Sequence, residues 1–261
     1  MKKYELTAEF IEKWGKKLFR IKALISFGSV EAGKLGGYVE KEDNLAQDGD
    51  AWVCGNAEVY GDARVCGNAW VCGNAEVYGD ARVCGNAWVY GDARVYGNAR
   101  VYGDAWVCGN AWVYGNARVY GDAWVCGNAW VCGNAEVYGD ARVYGNARVY
   151  GDARVYGDAE VYGDARVCGN AWVYGDADYL LIGRIGSRFS FTTFFKNKDK
   201  GITVSCGCFL GTIAEFRAKV TDTHGNNKHA KIYNLAADMA ELQILGEEHF
   251  DKLNTNKSEP F

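Results

Sequence analysis

From Gly49 to Tyr174 the chain repeats a phrase of six: Gly, then Asn or Asp, then Ala, a variable residue, Val, and Tyr or Cys, as in "GDAWVCGNAEVYGDARVC". In an extended segment successive side chains point to opposite sides, so Ala and Val share one face, and the variable residue and the Tyr or Cys share the other. The Ala and Val face is the predicted interior. Gly followed by Asn or Asp tolerates left-handed backbone and supplies a bend after each short strand. A strand and a bend recurring every six residues predict a coil. Each unit is too small to bury its apolar side alone and must stack on its neighbours, which is the signature of a solenoid. The 126 residues of this stretch hold twenty-one units.

The pattern resembles the hexapeptide repeat of left-handed parallel β-helices, in which three six-residue strands make one triangular coil of eighteen. The resemblance implies a mainly β fold with about seven regular coils over 49–176. At the spacing of neighbouring strands the prism is about 30–35 Å long. The left hand comes from the resemblance alone, since the general rule for parallel crossovers favours the right. Both ends expose sheet edges that need covers. Residues 1–48 are predicted as an N-terminal β cap, with strands near Tyr4–Leu6 and Leu18–Ser26.

Residues 177–261 are predicted as a small α+β domain, with strands in "DYLLIGRIG", "SFTTFFKN" and "KGITVSCGCFLG". A capping box from Thr212 to Glu215 opens a helix with Ile213, Phe216 and Val220 at helical spacing. A second helix is predicted from Lys228 to Leu245, with Ile232, Leu235 and Met239 facing the same partner. The flanks "VEAGKLGGYVEKEDNLAQDG" and "TTFFKNKDKGITVSCGCFLGTIAEF", with "THGNNKHAKIY", resemble a group of phage- and prophage-encoded hexapeptide-repeat proteins. That group has no settled activity, so the likeness implies an origin and not a reaction.

Composition changes this picture in a few places. The N-terminus lacks the apolar segment of a signal peptide, and no run of about 18 apolar residues exists for a membrane span. A soluble, cytoplasmic chain without a membrane partner is expected. The net charge is −4, and between Gly49 and Asp176 fifteen Asp and Glu face nine Arg, which argues against nucleic acid as partner. Eight of the ten cysteines occupy the repeat position otherwise filled by Tyr, none in a C-x-x-C pair, and read as small apolar stand-ins for it.

Sorting the variable residue by every third unit gives three outward columns. One reads Trp52, Trp70, Trp88, Trp106, Trp124, Arg142, Glu160. Its five tryptophans are candidate partner-binding residues, because each brings up to about 200 Å² and together they exceed the apolar patch usual on a monomer. A ladder serving stability alone has no evident reason to stop at Arg142. A second column, Arg64, Arg82, Arg100, Arg118, Glu136, Arg154, Trp172, stacks four like charges. Asp62 and Asp80 are candidates to neutralise them; otherwise, with Tyr102 and Tyr120 alongside, Arg64, Arg82, Arg100 and Arg118 form a candidate strip for an anionic ligand. The third column, Glu58, Glu76, Arg94, Trp112, Trp130, Arg148, Arg166, is mixed.

Many left-handed β-helix proteins are acyltransferases that use a coil histidine as base, and others resemble carbonic anhydrases that bind zinc through three histidines. The repeats here contain no His, Ser, Thr or Lys, and His224, His229 and His249 all lie in the C-terminal region. The remaining candidate metal ligands are Cys206, Cys208, His224 and His229, the two thiols pointing the same way if they share a strand. No cofactor and no catalytic residue is expected. The leading expectation is a non-catalytic binding or scaffold protein that contacts a host protein, such as a defence factor, or forms homo-oligomers. An acyltransferase-like enzyme and a self-associating structural protein are the alternatives.

Overall fold

The structure is a computed structural model and describes residues 2–248. Twenty-one two-residue strands, β4 (Trp52–Val53) through β24 (Trp172–Val173), follow one another at one per unit and sort into three parallel sheets. Each strand pairs in register with the strand three units on, so Val101 lies between Val83 and Val119. Every Ala and Val of the units, from Ala51 to Val173, is fully buried in one continuous core. The fold is therefore a parallel β-solenoid, as the spacing predicts.

Backbone amides tie each coil to the next. Asn86 N–H donates to the Gly103 carbonyl at 2.8 Å, Trp88 N–H to Ala105 at 2.9 Å and Tyr90 N–H to Val107 at 3.0 Å. Through most of the stack the glycine of a unit is obligatory for two reasons. At Gly85 φ is +77°, and a Cβ there would meet the Gly103 nitrogen at 2.9 Å, because glycines of successive coils stack directly.

The amides of the variable and sixth residues of each unit point towards the C-terminal end, so the first coil is left with a surplus of open carbonyls and the last with a surplus of open N–H groups. The N-terminal cap supplies donors. Strand β1 (Tyr4–Lys13) pairs antiparallel with β2 (Lys16–Ala23), and β3 (Leu35–Val39) pairs antiparallel with β2 and parallel with the solenoid. With a parallel bridge from Leu45 to Val65, residues 35–48 add an irregular coil, making about eight turns in all. Tyr38 N–H donates to Ala57 at 2.9 Å and Glu40 N–H to Val59 at 3.1 Å. Asn44 Nδ2 donates to Gly61 at 3.0 Å and Ala63 at 2.8 Å, and the buried Lys3 ammonium to Gly49 at 3.2 Å and Ala51 at 2.9 Å. Burial lowers the Lys3 pKa to about 8.

The far end presents acceptors. Thr193 Oγ1 accepts from Arg166 N–H at 3.1 Å and Asp178 Oδ2 from Tyr174 N–H at 3.0 Å. The C-terminal sheet runs β25 (Tyr179–Ile185), β26 (Ser190–Lys196), β27 (Ile202–Cys206) and β28 (Phe209–Thr212), all antiparallel. Alternation along β26 sends Phe195 into the solenoid core and Phe194 into a second core under helices α1 (Ile213–His224) and α2 (Lys228–Leu245).

Two expectations change here. The segment "KGITVSCGCFLG" is two strands rather than one, because Gly207, at φ +62°, turns the chain back on itself. The capping box Thr212–Glu215 forms as expected, and Phe216 and Val220 are buried. Helix α2 has the predicted span but not the predicted face, since Leu235 and Met239 are 62% and 57% exposed. It packs instead through Tyr233, Ala236, Ala237, Ala240 and Ile244. Small alanines allow close approach, and Arg217 of α1 fixes the rotation by pairing with Asp238 at 2.8 Å and Glu241 at 2.7 Å.

Candidate functional site: the outward columns

The variable position of each unit faces outward, and its occupant touches the occupant one coil above and below. In the tryptophan column Trp70, Trp88, Trp106 and Trp124 stack with ring centroids 5.6, 5.8 and 5.1 Å apart and interplanar angles of 11, 22 and 5°. Trp88 and Trp124 remain 38% and 43% exposed. Trp52 does not join them at the surface. It is 1% exposed, covered edge-on by Tyr4 at 6.4 Å and Phe27 at 5.4 Å, because the cap needs an apolar seat on the first coil.

The ladder ends for a physical reason absent from the pattern alone. The Arg142 guanidinium lies over the Trp124 ring at 5.7 Å, and Arg142 in turn pairs with Glu160 at 3.1 Å. A cation on the ring face continues the stack that a further indole would have made. The same grammar governs the mixed column: Arg94 pairs with Glu76 at 3.5 Å and covers Trp112 at 5.1 Å, Trp112 stacks on Trp130 at 5.2 Å, and Arg148 covers Trp130 at 4.7 Å. In the arginine column Glu136 pairs with Arg118 at 3.3 Å and with Arg154 at 3.4 Å, and Arg154 covers Trp172 at 5.5 Å.

Arg64, Arg82 and Arg100 depart from this grammar. They lie in register and exposed, and among the described residues no ion pair reaches them. Asp62 is engaged by Lys41 at 2.7 Å rather than by Arg64, and neither Asp62 nor Asp80 bridges to the strip. Tyr102 lines a cavity beside Arg64 and Arg82, whereas Tyr120 stacks on Tyr138 at 4.9 Å.

The sixth position of each unit forms further columns that were not foreseen. Cysteines one coil apart are joined as disulfides, Cys54–Cys72, Cys66–Cys84 and Cys108–Cys126, each spanning eighteen residues. In-register strands bring their Cα atoms to 4.6–4.7 Å, within the range a disulfide needs. The reading of these cysteines as stand-ins for Tyr holds only for Cys132 and Cys168, whose column neighbours are tyrosines. The paired cysteines follow the same eighteen-residue spacing as the Trp and Arg columns. Where tyrosines succeed one another they stack instead, as Tyr60, Tyr78, Tyr96 and Tyr114 do at 4.8–5.0 Å, and burial raises their phenol pKa values.

The corner asparagines form amide ladders along the same axis. Asn98 donates to Asn116 at 3.1 Å, Asn116 to Asn134 at 3.0 Å and Asn134 to Asp152 at 3.0 Å. An aspartate ends the run because a carboxylate accepts but has no N–H to pass on.

The candidate metal ligands do not converge. Cys208 sits exposed in the turn that separates β27 from β28, so it does not share a strand face with Cys206. Cys206 Sγ accepts from Thr192 at 3.2 Å and lies against Tyr233, whose pKa burial pushes up to about 12. His224 and His229 have ring centroids 5.8 Å apart. Among the described residues no group of three or more His, Cys, Asp or Glu side chains is placed to hold a metal ion, and His249 lies outside those residues. No described helix is long and apolar enough to cross a membrane.

The YdcK beta solenoid repeat matches the chain at residues 57–73, 75–91, 93–110, 111–127, 135–151, 141–157, 147–163 and 159–175. No curated protein matches it. The protein is therefore a beta-solenoid protein whose coils are similar to the YdcK repeat.

Proposed function

We propose that the protein is a non-catalytic scaffold that uses the tryptophan face of a rigid prism to contact a protein surface, either a partner or a second copy of itself. The observation that carries this reading is the exposure of Trp88 and Trp124, large apolar groups held on a flat and immobile face. Because the indoles stack face to face, they offer ring edges rather than ring faces to the outside. Edges suit a flat protein surface, whereas sugars and bases need an open aromatic face to stack upon. In this reading Trp70, Trp88, Trp106 and Trp124 form the contact and Trp52 anchors the cap. A left-handed coil, a phage or prophage origin and a cytoplasmic setting belong to the same reading and rest on the resemblance of the flanks and repeats.

The test is the double substitution Trp88→Arg with Trp106→Arg. The two new guanidiniums neighbour one another, but each also lies over an indole, Trp70 or Trp124, as Arg148 lies over Trp130 beside Arg166, and the melting temperature is expected to fall by no more than about 5 °C. Sedimentation and pull-down are expected to show loss of self-association or of partner capture. An unchanged oligomeric state together with unchanged partners overturns the reading and leaves the ladder a purely internal brace.

A further inference from the structure

We propose that Arg64, Arg82 and Arg100 form a binding site for oxyanion groups carried in single file, as in a short linear oligophosphate. The strip lies on a different sheet from the tryptophan face, so the two sites are independent.

Every other charged junction but two in the outward columns is matched within the chain, Glu to Arg or Arg to Trp. Where two glutamates stack, Glu58 on Glu76, the cap sends Lys13 between them to pair with both. The remaining like pairs are Arg100 with Arg118, where Arg118 also pairs with Glu136, and Arg148 with Arg166, where Arg148 rests on Trp130. Among the described residues no carboxylate forms an ion pair with Arg64, Arg82 or Arg100 and no aromatic ring lies under them; Asp62 feels the charge of Arg64 but is paired with Lys41. Directly stacked like charges destabilise a sheet, so this run is held at a cost that an external anion removes. Guanidinium is suited to the task, since it presents a planar fork of donors to phosphate or sulfate oxygens and stays charged at any working pH.

The surroundings give the strip shape. A cavity of about 410 Å³ is lined by Arg64 and Arg82, by Tyr102 and by the irregular first coil at Leu45 to Gln47. Its rim also carries Glu42 and Asp43, and a neighbouring cavity carries Asp62 and Asp80. Glu42 is already paired with Lys2 and Asp62 with Lys41. These carboxylates narrow the positive strip to one guanidinium in width and oppose a bulky polyanion. A ligand must therefore gain its affinity from several oxyanion groups in a row.

Calorimetry at low ionic strength with inorganic phosphate, sulfate and tripolyphosphate tests the proposal. Tripolyphosphate is expected to bind roughly tenfold or more tightly than either single ion, as one further charge-assisted contact provides. Arg82→Gln with Arg100→Gln is expected to lose at least about tenfold, while Arg142→Gln with Arg154→Gln, an equal charge change at matched positions, retains binding. Equal losses in both double variants, or no dependence on the number of phosphates, means an adventitious ion only and overturns the site. A ligand-free measurement checks the premise. Arg82→Glu recreates on this column the Arg118–Glu136–Arg154 arrangement, and in phosphate-free buffer it is expected to raise the melting temperature by a few degrees. A fall in melting temperature shows that the strip carries no repulsion to relieve and removes the basis for the proposal.

Discussion

Val101→Asp is expected to abolish folding of the chain. Val101 is fully buried between Val83 and Val119, in a core lined by alanine and valine with no side chain to receive a carboxylate. An unpaired buried charge costs several kcal/mol, a large part of the roughly 5–15 kcal/mol that holds a domain together. Insoluble expression or loss of the β circular dichroism signal is the expected result, and a soluble variant that melts like the parent contradicts the interior assignment. Deleting the whole coil Gly139–Tyr156 is expected to do less harm. That coil carries no cysteine, its removal leaves every disulfide in place, and repeat stability is close to a sum of neighbour terms. A folded, slightly less stable protein by the same two measurements is the expected outcome, and aggregation contradicts it.

Reduction of the disulfides is expected to lower the melting temperature by on the order of 10 °C or more. Each bridge closes an eighteen-residue loop, and the loop-entropy estimate for that length is about 3 kcal/mol apiece. Two of the three join the same pair of coils next to the N-terminal cap, so the loss is expected to begin at that end. Thiol titration of the oxidised native protein, after unfolding without reductant, is expected to find four thiols, those of Cys132, Cys168, Cys206 and Cys208. Ten thiols before any reductant, with no change in melting on its addition, rules the bridges out. Such bonds persist in oxidising compartments and are rare where thiols are kept reduced, so the surroundings set how many staples the prism carries.

The repeating part of the fold was legible because each unit repeats one physical constraint: small and β-branched side chains inward, a turn-forming pair at the corner. Local rules also served at Thr212 and Glu215, whose capping box depends on residues three apart. Features set by distant contacts were harder to read. The burial of Trp52 depends on Tyr4 and Phe27, and the rotation of α2 depends on Arg217. The irregular coil at 35–48 has no repeat pattern because it must pair with a coil on one side and a hairpin on the other. The disulfides were hidden by a different cause. Their signal is an eighteen-residue spacing that is plain once position six is sorted by column, and invisible while cysteine is treated as a substitute for tyrosine.

The shared direction of the amides at the variable and sixth positions has a consequence for how such a chain can vary. The N-terminal cap engages open carbonyls through Lys3, Asn44 and the backbone of residues 38–46, and the C-terminal end engages open N–H groups through Thr193 and Asp178. Neither cap senses how many coils lie between them. The separation of the two ends can thus be lengthened or shortened in steps of about 4.8 Å while both grips stay unchanged. The molecule is built as a ruler, with its graduations in the repeats and its stops at the ends.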